Sequence, residues 1–201
     1  MKKIIFTIAL TLITTNTVSA NNDNGPTWDF IELGYIQANV DDTDFKPTGF
    51  TTIASALVSE NIYVTASYYS ISDSATVFGT QVETDIKEST IGLGYQFGIS
   101  DMTDFSIGIK YLNGEVCANS QGFGSNCLDD NGFGLNVGFR TMISDKVEAS
   151  IAANYVDISD DSDTSLDFGI AYIFSQDFSA KFSFTTSDDV NTIGLGVRFE
   201  F

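Results

Sequence analysis

The 201-residue chain has no histidine, two prolines and two cysteines, and its nine Lys and Arg face 27 Asp and Glu. Lack of imidazole removes every mechanism that needs a histidine base or ligand. The scarcity of basic residues, with a formal charge of −18, excludes nucleic acid as a partner, because phosphate would be repelled. After the first twenty positions no apolar run reaches the roughly eighteen residues of a membrane helix, so a helical bundle is excluded. Intrinsic disorder is excluded by what the chain does have: 17 Phe, eight Tyr and many branched aliphatics.

Positions 1–20 have the anatomy of a secretory signal peptide. Lys2 and Lys3 form a short positive region, Ile4 to Ile13 are apolar, and Val18-Ser19-Ala20 places small residues at a cleavage point. The domain plan is therefore a cleaved leader, 1–20, and one mature unit, 21–201. Both lysines leave with the leader, so the exported chain is more acidic still. It works where disulfides persist.

From Trp28 onward, apolar residues recur at every second position, the period of a strand. Ile91, Leu93, Tyr95, Phe97 and Ile99 share one face, opposite Thr90, Gly92, Gly94, Gln96 and Gly98. The pattern predicts ten strands, near 28–39, 49–58, 62–71, 83–98, 104–113, 131–140, 146–156, 164–174, 178–186 and 190–201. The count falls to eight if the weakly alternating 49–71 region is not a hairpin, since Ile53 and Leu57 fall on its wrong face. Short connectors at 59–61, 100–103, 141–145 and 175–177 alternate with long polar ones at 40–48, 72–82, 114–130 and 157–163. Short turns on one side and long loops on the other are the plan of a transmembrane barrel.

The two faces support this reading. Phe97, Phe105, Phe139, Phe174 and Phe199 lie beside the short turns; Tyr35, Tyr68, Tyr111, Phe133, Tyr155 and Phe184 lie near the long loops. Two aromatic rings around an aliphatic band are the girdles of a barrel in lipid. The opposite face is rich in Gly, Ser and Thr. Its glycines, among them Gly92, Gly94, Gly108 and Gly134, predict space for water inside. The fold class is an all-β, antiparallel up-and-down transmembrane β-barrel.

The last residues, Gly194-Leu195-Gly196-Val197-Arg198-Phe199-Glu200-Phe201, alternate and end on phenylalanine. Together with the leader, this terminus resembles the small opacity/porin-type outer-membrane β-barrel proteins of Gram-negative bacteria. The resemblance implies an outer-membrane location, with Val197, Phe199 and Phe201 read as an insertion signal by the barrel insertion machinery. It also implies outer-membrane lipid and lipopolysaccharide as surroundings. It does not select an activity, because the group holds adhesins, small channels and barrels of unassigned role. Barrel enzymes of this size rely on histidine, which this chain lacks, so a non-enzymatic protein without cofactor is expected.

Three further features bear on sites. Thirteen acids fall in the predicted outside loops, opposed only by Lys46; an EF-hand from Asp161 fails because Leu166 and Tyr172 occupy the required Gly and Glu places. A solvated rim, with no assigned metal ligands, is the expectation. Cys117 and Cys127 predict a structural disulfide within the longest outside loop, holding Phe123 at its tip as a contact candidate. On the inward face near the periplasmic end, Glu32, Arg140, Glu148, Lys181, Arg198 and Glu200 provide three acids and three bases. They predict a charge-paired belt narrowing the lumen. The functional expectation is a narrow passive channel for small solutes or a structural barrel; the alternative is a surface adhesin acting through its acidic loops on a partner of unknown identity.

Overall fold

A computed structural model describes residues 25–77, 80–120, 124–159 and 161–201; the leader 1–20 and Phe123 lie outside the described residues. Ten strands form one closed antiparallel barrel: β1 (Phe30–Val40), β2 (Thr48–Leu57), β3 (Ile62–Val77), β4 (Thr80–Ser100), β5 (Thr103–Ser120), β6 (Gly124–Ser144), β7 (Val147–Ile158), β8 (Asp161–Ile173), β9 (Phe178–Thr186) and β10 (Val190–Glu200). Each strand pairs with its sequence neighbours, and β1 closes on β10 from Phe30↔Glu200 to Val40↔Val190. Closure gives every wall strand two partners, as hydrocarbon demands of a backbone that meets no water.

Odd-numbered residues of β4, β5 and β6 face out. Ile91, Ile109 and Leu135 form part of an aliphatic band between the girdles. On the short-turn side Phe105 packs against Phe97 and Phe139 at 5.0 and 4.9 Å between centroids, and Phe178 against Phe199 at 5.1 Å. On the other side Tyr111 meets Phe133 at 5.4 Å. The wall thus turns its apolar side outward.

The eight-strand alternative is set aside, because β2 and β3 pair from Thr48↔Ser72 to Leu57↔Tyr63. Ile53 points into the lumen and joins an apolar cluster there, which explains its place on the polar face. The loop expectation needs correction. Between β1 and β2 a loop forms at 41–47, but 72–77 and 80–82 are strand, as are 114–120, 124–130 and 161–163. These segments lie beyond the lipid band, where neither face need be apolar, so backbone pairing continues without alternation. The hairpin arms rise past their neighbours: β2 meets β3 no further than Ser72, and β7 meets β6 no further than Gly132.

Candidate functional site

The lumen is layered. The layer at the short-turn end contains the six charges singled out by position. Arg140 Nε donates to Glu148 Oε1 at 2.6 Å, and Arg140 Nη2 donates to Glu148 Oε2. Arg198 reaches Glu32 at 3.2 Å and Glu148 at 3.3 Å, while Lys181 Nζ donates to Glu32 Oε2 at 3.1 Å. Glu200 stands 4.0 Å from Arg198. The network crosses the barrel because Arg140 comes from β6 and Arg198 from β10, and both reach the same carboxylate of β7. Arg198 also lies over the Phe30 ring, 4.4 Å from its centroid, a cation–π contact inside the wall.

Above this belt is a polar middle layer that sequence reasoning passed over. Asn154 donates to Asp167 Oδ2 at 2.6 Å, Thr185 donates to its Oδ1 at 2.7 Å, and Lys110 reaches Asn154 Oδ1 at 3.5 Å. Thr90 donates to Glu88 Oε1 at 3.0 Å. Parity places Lys110 and Asp167 on the inward face and would have found them. Asp104 is another buried acid of the inner wall. Near the outer mouth the lining turns apolar: Val40, Ile71, Ile86, Val116 and Val190 pack together with Phe45 of the 41–47 loop. That loop folds back on β1 through Ala38 N to Pro47 O at 2.9 Å.

Gly94, Gly108, Gly134 and Gly194 make room for side chains of neighbouring strands, whereas a Cβ on Gly98 would meet nothing nearer than 3.7 Å. A Cβ on Gly94 would lie 2.0 Å from the Tyr63 ring, on Gly108 2.4 Å from Asn136, on Gly134 2.7 Å from Lys110 and on Gly194 2.5 Å from Ser183. Each of these four receives a side chain from a neighbouring strand, so the small residues allow the lumen to fill. Two surface concavities of about 530 and 860 Å³ lie off the axis, one on the outward wall around Leu93, Ile109 and Leu135, the other among the short turns.

Outside the membrane band, β3 to β6 continue as a four-stranded sheet. Cys117 and Cys127 are direct cross-strand partners joined by a disulfide, so the staple lies within paired strands and not in a loop. Beside it, Lys87 Nζ donates to Glu115 at 3.0 Å, and Asn119 Nδ2 donates to Asp85 at 3.0 Å, two further ties across β4 and β5. The hydrogen bond to Glu115, reinforced by its charge, pushes the Lys87 ammonium up from its ordinary value. Counting nine residues beyond the Tyr111 girdle to the end of β5, the arm extends by about 30 Å along the strand. Acids line this region: Asp73 accepts from the Lys46 amide at 2.6 Å, and Asp130 accepts from the Ser159 hydroxyl. Burial pushes the Asp163 carboxyl up, the Thr164 amide opposes this, and the charges of Asp188 and Asp189 add to it.

Of the C-terminal residues expected to serve as an insertion signal, Val197, Phe199 and Phe201 all face out, Phe199 stacking with Phe201 at 6.2 Å. A sequence model of the outer membrane protein beta-barrel domain matches residues 5–174, most of the chain. The chain belongs to that family. Its place is the bacterial outer membrane. Comparison with curated protein sequences finds no match. Among solved structures, the NanC porin is similar with 9% identity and a TM-score of 0.53, covering 85% of this chain and all of that one. The attachment invasion locus protein Ail of Yersinia pestis, solved with a heparin analogue, shares 17% identity at TM-score 0.49 over 86% of this chain and 97% of its own. Neisserial surface protein A shares 11% at 0.45, over 86% and 96%. At such identities the likeness concerns the fold alone.

Proposed function

We propose that this barrel is a closed, non-catalytic scaffold that displays a rigid β-sheet outside the cell as its interaction surface. The observation that carries this reading is the contrast between the two ends of β3 to β6. Their inward residues interlock with those of the other strands, whereas their outer arms continue as a stapled sheet beyond the neighbouring strands. A solute route would need an open path; here buried ion pairs, a polar middle and an apolar outer cluster occupy the interior. Absence of histidine together with carboxylates held by Arg, Lys, Thr and Asn supports a non-catalytic role.

The second reading is a narrow passive channel. It is favoured by the polar middle layer, where Lys110 faces Glu88 and Asp167. Passage would require that layer and the outer apolar cluster to part.

The surface reading is tested on whole cells. Cells carrying the native barrel are compared with cells whose β5–β6 arm is cut back to a two-residue turn between Asn113 and Asn131, on immobilised matrix proteins and glycans. Binding above vector-only cells that disappears with the arm, at equal amounts of folded barrel, is expected. Binding that is absent, or that survives removal of the arm, contradicts the interaction role.

A further inference from the structure

The stem preceding β1 does not continue the wall. Pro26 and Trp28 are buried, Trp28 completely, although no strand pairs with them. A tryptophan near a barrel end ordinarily joins the interfacial girdle, with its ring in lipid. Trp28 instead lies inside. Its indole stacks on Tyr63 of β3, with 4.1 Å between centroids and 17° between planes. Arg140 of β6 stands 5.9 Å from the same ring, and its Nη1 donates to the Thr27 carbonyl at 3.4 Å. Leu57 packs beside the pair.

The wall accommodates this ring. Tyr63 lies flat only because Gly94, its partner on β4, has no side chain. Asp29 fixes the stem as it enters: its Oδ1 accepts from the Leu57 amide at 2.7 Å, and its carbonyl accepts from the Phe201 amide at 3.2 Å. The stem is thereby tied to β2 and to the last residue of the chain, while its indole spans the mouth between β3 and β6. Arg140 is shared between Glu148 of the belt and the stem, so the plug and the ion pairs form one unit.

We propose that the periplasmic mouth is a binding site for a planar aromatic ring, filled in cis by Trp28, so that residues 26–29 act as a tethered plug. The site consists of the Tyr63 face, the Arg140 guanidinium and the Leu57 side chain. Its ligand class is an indole-like ring. The proposal is independent of whatever the outer sheet binds.

Ser55 reports on the mouth: it is 2% exposed and sits opposite Phe30 in the β1–β2 register. With both native cysteines in the disulfide, Ser55→Cys supplies a single free thiol. Its modification by a charged methanethiosulfonate is timed in the folded chain, with and without Trp28→Gly, and each with and without millimolar indole. Modification should be slow with Trp28 in place and faster by about tenfold or more in Trp28→Gly, since a buried group reacts only through opening. Indole should restore the slow rate by refilling the hole, as small apolar ligands refill engineered cavities. Equal rates with and without Trp28, or an acceleration that indole does not reverse, overturn the proposal. Should Trp28→Gly fail to give a heat-modifiable barrel, the emission of Trp28 in the unaltered chain decides, because it is the only tryptophan. Resistance to iodide is expected; quenching as efficient as that of a free tryptophan amide overturns the proposal.

Discussion

Glu32 of the first strand lies directly opposite Arg198 of the last, and the guanidinium holds its carboxylate at 3.2 and 3.3 Å. The seam that closes the barrel is thus fastened inside by an ion pair as well as by the backbone ladder. Lys181 shares the same oxygen from β9, so three consecutive wall positions meet at one carboxylate. Breaking a buried pair from one side costs far more than removing both partners, because the survivor stays charged in a dry site.

The belt should therefore show strong coupling. Arg140→Ala and Glu148→Ala are each expected to destabilise the barrel by about 3 kcal/mol, and the double variant by clearly less than the sum. Urea unfolding in detergent or lipid vesicles measures this. Additive losses would mean that the charges are solvated individually.

The disulfide should matter outside the membrane and not within it. Replacing Cys117 and Cys127 by serine frees a short hairpin end, worth about 2–3 kcal/mol of restricted unfolded chain. Hydrogen exchange should speed up in residues 114–120 and 124–130, while the yield of heat-modifiable barrel stays level. A fall in yield would contradict this division.

Two inner-face glycines should behave differently. A Cβ on Gly94 meets Tyr63 at 2.0 Å, whereas on Gly98 the nearest atom is Asp104 Oδ1 at 3.7 Å. Gly94→Ala is expected to cost about 1–3 kcal/mol through overpacking, and Gly98→Ala to be near neutral. Equal costs would show that the lumen yields freely.

At Asp163 burial favours the protonated carboxyl, so the folded chain binds this proton more tightly than the unfolded chain does. Its contribution to stability is full below the ordinary carboxylate range and is lost as pH rises through the raised value. Asp163→Asn stays neutral throughout. It should match the parent in acid and exceed it at neutral pH, by less than about 1 kcal/mol at this half-exposed site. Parallel stability curves across the whole range would contradict the burial argument.

The ten strands were legible because lipid imposes a period of two on every residue that crosses it. Outside the lipid that constraint ends, and 72–77 and 114–120 carry no alternation to read; they are strands because their partners are. Trp28 shares the parity of Phe30 and Glu32, which turns it inward, but its stacking on Tyr63 and its contact with Arg140 bring together distant strands and show only when the barrel closes. Lys110 and Asp167 stood in view on the inward face. The glycines beside them suggested open space, although what fills such space comes from other strands and shows only when the barrel closes.

The most direct test of a closed scaffold is single-channel recording of the purified, refolded barrel in planar lipid bilayers. The interlocked lumen predicts silence, with no stepwise current across the range of voltages the bilayer tolerates. Steady, reproducible conductance steps from the native chain would contradict it and favour the narrow channel.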